Sequence, residues 1–293
     1  MALLADARPS GVAVPRPIRP TPTLASMPAP AVLEVDKAGY ERLTHDVRAL
    51  LGFDLSQYKA PQVWRRVNGF ASARRFPDVP TMLAQCRVDP DLKKAFRDLI
   101  TINVSEFFRN PEAFEALRTR HLPPLVRGTS LLRVWSAGCS LGYEPYSIAM
   151  LVREQSATAS LRIVATDLDE TILAQARASR YTDTQMLGVS NARRARFFRS
   201  DGDICEARPE LRALVNFRRQ DLLRDPFESG FDLIACRNVV IDFTEDAKSQ
   251  LYQKFAKALR PGGLLFVGAT EAIGGARELG LEPVQPGFYR RPE

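Results

Sequence analysis

Between Arg133 and Tyr146 the chain reads Arg-Val-Trp-Ser-Ala-Gly-Cys-Ser-Leu-Gly-Tyr-Glu-Pro-Tyr, an apolar run that two glycines interrupt just before a carboxylate, Glu144. Glycine permits a sharp turn and lets a ligand approach the backbone closely. A strand, a glycine turn and a helix together present backbone N–H groups to a cofactor. The turn lacks the Gly-Lys-Ser/Thr of a polyphosphate-binding loop. Three further apolar runs end in polar residues: Asp167, Asp221 before Leu222, and Arg237-Asn238. An acid in the place of Asp167 can accept hydrogen bonds from ribose hydroxyls, or it can cap the following helix. Asp221 beside Leu222 suits an amino group next to an apolar wall, as in adenine. Acids and amides at four strand ends, without a phosphate loop, fit an adenosine that carries no polyphosphate. S-adenosylmethionine is the natural candidate.

These residues need a scaffold that brings strand ends together, and the hydrophobic pattern supplies one. Strands are expected over Leu131–Ala137, Leu161–Thr166, Val215–Arg219, Phe231–Cys236 and Leu264–Gly268. Helices are expected over Tyr146–Arg153, Glu170–Ala178 and Glu245–Leu259, the last stopped by Pro261-Gly262-Gly263. Such alternation implies an α/β fold, a parallel sheet covered by helices on both faces. Glu282–Arg290, around Pro286-Gly287, reads as an antiparallel hairpin closing the sheet. From about 182 to 214 the rhythm lapses, which suggests a small inserted subdomain. Upstream, residues 34–114 read as a helical domain, with Tyr40, Leu43, Val47, Leu50 and Leu51 at helical spacing, as are Leu92, Phe96, Leu99 and Ile100. Residues 115–293 form the α/β domain in this reading. Residues 1–33, rich in Pro, Ala, Thr and Ser, read as a disordered tail.

Composition narrows the function. The 293 residues hold four cysteines and two histidines. No Cys-x-x-Cys spacing occurs, so neither a zinc site nor a disulfide framework is indicated. No apolar run reaches the roughly 18–20 residues of a membrane span, and no secretory signal is recognisable. Membrane insertion is therefore not expected, and a cytoplasmic location is. The net charge of +7 comes from dispersed basic residues mixed with acids. An acidic protein partner suits it better than nucleic acid, and a monomer is expected.

The chain resembles the CheR-type chemotaxis receptor methyltransferases, protein-glutamate O-methyltransferases of Rossmann-like fold. The resemblance rests on successive motifs: Thr101-Ile-Asn-Val-Ser-Glu-Phe-Phe-Arg109, Trp135 to Ser147, Ala165-Thr-Asp-Leu-Asp169, Cys236-Arg-Asn-Val-Val-Ile-Asp-Phe243 and Gly268-Ala-Thr-Glu271. It covers about residues 38–292 and implies methyl transfer from S-adenosylmethionine to receptor glutamates, leaving S-adenosylhomocysteine. It places Asn103, Ser105, Arg109 and Ala137 around the cofactor. Glu144 would take the methionine amino group, Asp167 the ribose and Asp221-Leu222 the adenine, with Arg237 and Asn238 completing the pocket. Arg65 and Arg66 would face the cytoplasmic helical bundle of a chemoreceptor. Phe107-Phe108 reads as core packing where the two domains meet.

A glutamate acceptor is already ionised near neutral pH, so transfer needs alignment and exclusion of water, with no general base. Arg109 is the expected positioner of the acceptor carboxylate, since a guanidinium can hold one bidentately. Leu141 and Tyr143 depart from the family pattern within the glycine turn. Asp242 departs more seriously, because the family usually carries a tyrosine there, close to the transferred methyl. An ionised Asp242 about 4 Å from the acceptor would repel it by roughly 4 kcal/mol at an effective dielectric near 20, about three orders of magnitude in rate. Pairing with Arg109 or Arg237, or protonation of Asp242, would shrink that penalty. An unpaired Asp242 would instead favour a weak or inactive member that binds cofactor as a sensor or interaction module, or a methyltransferase for a different acceptor.

Overall fold

The computed structural model describes residues 36–101, 105–268 and 271–293. Helices α1 (Lys37–Leu51), α2 (Ala60–Ala73), α3 (Val79–Cys86) and α4 (Pro90–Thr101) come first. They enclose their own core, which includes Leu43, Val47, Val67, Met82 and Phe96. Local signals set their ends. Gly52 at φ 78° closes α1, and the Asp78 carboxylate caps α3 through the Thr81 N–H. The expected tail and Asn103 lie outside the described residues.

A second run of helix follows, α5 (Pro111–Ala116), a π-helical turn (Leu117–His121) and α6 (Leu122–Arg127). Strand and helix then alternate: β1 (Leu132–Ala137), α7 (Tyr143–Gln155), β2 (Leu161–Asp167), α8 (Glu170–Ala178), β3 (Arg180–Thr182), α9 (Asn191–Phe197), β4 (Phe198–Asp201) and β5 (Ile204–Ala207). The chain continues through α10 (Pro209–Arg212), β6 (Val215–Arg219), β7 (Phe231–Cys236), α11 (Glu245–Ala258), β8 (Leu259–Val267), β9 (Glu282–Gln285) and β10 (Phe288–Arg290).

The main sheet has seven strands in the order β6-β2-β1-β7-β8-β10-β9. Its first five strands are parallel, and the β9–β10 hairpin closes one edge antiparallel, as the sequence pattern predicts. Strand order reverses between β1 and β7. In open α/β sheets that switch point leaves a crevice at the carboxyl ends of the strands. One face is covered by α7 and α8, the other by α11. The expected insertion is a small antiparallel sheet, β3-β5-β4.

Three expectations are corrected. Helix α7 starts at Tyr143 rather than Tyr146, because Gly142, at φ 84°, turns the chain directly into it. Pro261-Gly262-Gly263 does not separate α11 from the last parallel strand but lies inside β8. The β7–β8 register slips there, from Phe231↔Leu259 to Leu233↔Leu264, so these residues bulge out of the ladder. Phe107 and Phe108 are buried as expected, but their neighbours differ. The Phe107 ring meets Tyr143, Tyr181 and Phe198 edge-on, at 4.8, 5.0 and 5.8 Å, and so ties the glycine-turn helix to the inserted sheet.

Candidate functional site

The carboxyl ends of β1, β2, β6 and β7 open into one cavity, roofed by the helical layer. Glycine at 138 is required for two reasons. Its φ is +77°, and a Cβ there would overlap the Val239 side chain. After β1 the Ser140 N–H donates to the Asp167 carboxylate at 2.8 Å, and the Asp169 N–H donates to its other oxygen at 3.1 Å. Asp167 is thereby fixed in orientation at the end of β2. Its neighbour Asp169, rather than Asp167, caps α8 through the Thr171 N–H.

Glu144 sits one residue into α7, and Ser136 Oγ donates to it at 2.8 Å. Burial pushes its carboxyl above the usual range, against the opposing pull of Arg237, the Ser136 hydrogen bond and Arg109. Burial likewise raises Asp167, against the backbone N–H groups that favour its ionised form. Both are poised for a ligand that brings positive charge or hydrogen-bond donors.

Arg237 comes from the end of β7 and is almost fully buried. Its guanidinium lies against both the Phe114 and Phe266 rings, 5.0 and 4.5 Å from their centroids. It stands 3.9 Å from Glu144 and donates to Arg109 O at 2.8 Å and Asn110 Oδ1 at 2.9 Å. Arg237 therefore braces the segment that carries Arg109 into the cavity. Asn238 follows in the left-handed region at φ 60°, a conformation asparagine tolerates better than most residues. Glu271 holds it there, accepting from the Asn238 N–H at 2.8 Å and from the Gly268 N–H at 2.7 Å.

The helical layer closes the cavity along a seam. Tyr58 bridges Phe243 in antiparallel fashion, and their rings meet edge-on at 4.9 Å. The Lys59 N–H donates to Asp242 O at 2.7 Å, the Thr244 N–H to Gln57 O at 2.9 Å, and Lys59 Nζ pairs with Glu245 at 2.8 Å. Above all, the Arg66 guanidinium of α2 donates to the Asp242 carboxylate, which is buried in the cavity wall.

Of the residues singled out from sequence, Ser105, Arg109, Glu144, Asp167, Asp221, Leu222, Arg237, Asn238 and Asp242 all line this cavity. Ala137 does not; it is packed in the core one residue before the turn. Arg65 is exposed on α2. Arg66 is corrected, since its charge turns inward to Asp242. Asp242 is paired, as the methyltransferase reading requires, but with Arg66 and not with either of the two arginines considered for it, Arg109 and Arg237. Tyr58, Gln220 and Glu271 were missed as members of the site. Glu271 had a signal, being the end of a family motif, but Tyr58 is placed by tertiary contact alone.

Two buried acceptors in the wall, Gln220 Oε1 and Asn238 Oδ1, have no hydrogen-bond partner among the described residues. A buried acceptor left so is costly, and a ligand rich in N–H and O–H donors would satisfy both. The wall thus combines five carboxylates, unfilled acceptors and two arginines, and it suits S-adenosylmethionine, which has a cationic sulfonium and ammonium, an exocyclic amine, hydroxyls and a single carboxylate. Among the described residues no cluster of His, Cys, Asp and Glu could hold a metal ion. Nor is any helix among them long and apolar enough to cross a membrane.

Comparison with known proteins agrees with this geometry. Residues 38–101 match the CheR methyltransferase all-alpha domain, and residues 103–283 match the CheR methyltransferase SAM binding domain. A chemotaxis protein methyltransferase of Listeria monocytogenes is 42% identical over 251 residues, covering 85% of this chain and 96% of the relative. Chemotaxis protein methyltransferase 1 of Pseudomonas aeruginosa is 39% identical over 193 residues, 62% of this chain and 70% of the relative. A chemotaxis protein methyltransferase of Pseudomonas putida is 33% identical over 237 residues, 76% and 86% of the two chains. The chain belongs to the CheR family of S-adenosylmethionine-dependent chemotaxis methyltransferases.

Proposed function

We propose that this protein methylates glutamate side chains in the cytoplasmic helical bundle of a chemoreceptor, leaving S-adenosylhomocysteine as the spent cofactor. The observation that carries this reading is the Arg66–Asp242 pair. An unpaired Asp242 would repel a second carboxylate, whereas an ion-paired one presents almost no net charge to it. The same pair removes the support that an unpaired Asp242 would have lent to a silent, cofactor-binding sensor or to a different acceptor.

In this reading Glu144 takes the methionine ammonium, Asp167 the ribose hydroxyls, and Asp221 with Leu222 the adenine. Asn103 and Ser105 belong to the same shell. When bound, the cofactor supplies an electrophilic methyl group on a sulfonium. The protein's own work is alignment. Arg109 holds the acceptor carboxylate, Arg237 fixes the Arg109 backbone, and the Tyr58–Phe243 seam keeps water out. No side chain is required to take a proton, because the acceptor arrives ionised.

The test is transfer of labelled methyl from S-adenosylmethionine to a receptor cytoplasmic fragment. Base-labile label on the fragment, lost with Arg109→Ala, is expected. Tight cofactor binding by calorimetry without any transfer, but with transfer restored by Asp242→Tyr, would overturn the reading.

A further inference from the structure

The stretch of chain from Arg109 to His121 rests at both its ends on the same pair of rings. At its start, Arg237 donates to Arg109 O and Asn110 Oδ1 while its guanidinium lies 4.5 Å from the centroid of Phe266. At its end, the His121 ring stacks on Phe288, with 4.3 Å between centroids and 26° between planes. Phe288 on β10 pairs with Phe266 on β8, and their rings are stacked in turn at 4.5 Å and 4°. Two rings at these spacings cannot share one face of Phe288, so His121 covers the face that Phe266 leaves open. His121, Phe288, Phe266 and Arg237 thus form a continuous chain of contacts, and none of them is more than 7% exposed.

The backbone brings His121 there by a local device. In the π-helical turn between α5 and α6 the Leu122 N–H reaches back five residues to Leu117 O. Such turns are uncommon in helices and recur at functional sites. Burial, with Arg290 and Arg120 nearby, holds the His121 pKa below the ordinary histidine value against a hydrogen bond with Gln285, so the ring is neutral near pH 7. Its Nε2 is buried with no hydrogen-bond partner among the described residues. The plane of the ring is therefore set by stacking on Phe288 and by Gln285, not by Nε2.

We propose that His121 is a positioning residue for methyl transfer: acting through Phe288 and Phe266, it fixes the place of the Arg237 guanidinium and so of Arg109. Protein interiors are close-packed and barely compressible, so a displaced ring displaces the next. A shift of about 1 Å in a group that aligns the reactants can cost about a hundredfold in rate. The proposal rests on the protein-glutamate reading above, and it adds to the alignment machinery a residue that does not line the cavity.

Steady-state methylation of a receptor cytoplasmic fragment tests this in the full-length protein, with melting temperatures measured alongside. The variants are His121→Phe, His121→Leu, His121→Met, Arg237→Lys and the double variant His121→Leu/Arg237→Lys. Leu and Met fill the space without a flat face, and each is expected to lower kcat about tenfold while KM and cofactor affinity by calorimetry stay within about threefold of wild type. His121→Phe keeps the flat face and should hold kcat within about twofold of wild type, whatever its melting temperature. The double variant should have the kcat of Arg237→Lys alone, because His121 acts through Arg237. Wild-type kcat in both His121→Leu and His121→Met, an equal loss in His121→Phe, or multiplied losses in the double variant would overturn the positioning role. Absence of transfer by wild type would overturn the underlying activity, and the proposal with it.

Discussion

Arg66 and Asp242, 176 positions apart in the chain, meet across the seam between the helical layer and the sheet. Asp242 is buried and Arg66 is about three-quarters covered. Removing one member of such a pair strands the other. Arg66→Ala is expected to destabilise the protein by about 2–3 kcal/mol in urea denaturation. Adding Asp242→Asn should recover at least half of that loss. Additive losses would show that the two side chains do not depend on each other.

Glu271 is predicted to act through Asn238. It is the acceptor for two backbone N–H groups, those of Asn238 and Gly268. Glu271→Ala leaves both buried donors unsatisfied and should cost about 2–4 kcal/mol. Both N–H groups share one oxygen, so Glu271→Gln, which keeps an acceptor there, should cost well under half as much. Cofactor affinity by calorimetry should fall in parallel, because Asn238 must hold its left-handed turn.

Gly138→Ala combines a positive φ with an overlap on Val239. We expect a loss of at least about 2 kcal/mol in stability and a larger relative loss in cofactor binding. Gly69→Ala, in the middle of α2 with nothing near the added methyl, should leave both unchanged or slightly improved.

The raised carboxyls of Glu144 and Asp167 make a directional prediction about pH. A carboxyl held above its unfolded pKa means the free native protein binds that proton more tightly than the unfolded chain. Its contribution to stability is thus present below the unfolded value and declines as pH rises through the folded one. Cofactor binding runs the other way, since a cationic ligand needs both groups ionised. Affinity should be full above the raised values and fall away as pH drops through them, before the ordinary carboxylate range of about 4 is reached. Calorimetry in buffers of different ionisation enthalpy should detect proton release on binding. Proton uptake, or none, would contradict the assignment, and Glu144→Gln should reduce the release along with at least about tenfold of the affinity.

Much of this molecule was legible as local pattern. The runs Val215–Arg219 and Phe231–Cys236 are strands at the expected bounds, because apolar segments of that length bracketed by turn residues fit a buried parallel sheet. Helix Glu170–Ala178 was readable because Asp169 supplies its cap. The cavity residues followed from where those strands end. What was not legible lies in contacts between distant segments. Pro261-Gly262-Gly263 has the composition of a turn, yet pairing on both sides of β8 draws it into the strand as a bulge. Arg66 looks like one of two surface arginines, and only the fold brings it to Asp242. Tyr58 carries no chemical signature until Phe243 packs beside it.

The central claim is that Arg66 neutralises Asp242 so that an acceptor carboxylate can enter. Single-turnover methyl transfer to a receptor fragment, at saturating cofactor and acceptor, tests it most directly in wild type, Arg66→Gln and Arg66→Gln/Asp242→Asn. Unmasking Asp242 should slow Arg66→Gln by about a hundredfold or more, and neutralising both residues should restore the rate to within about tenfold of wild type. A double variant as slow as Arg66→Gln, or a single variant as fast as wild type, would contradict the account.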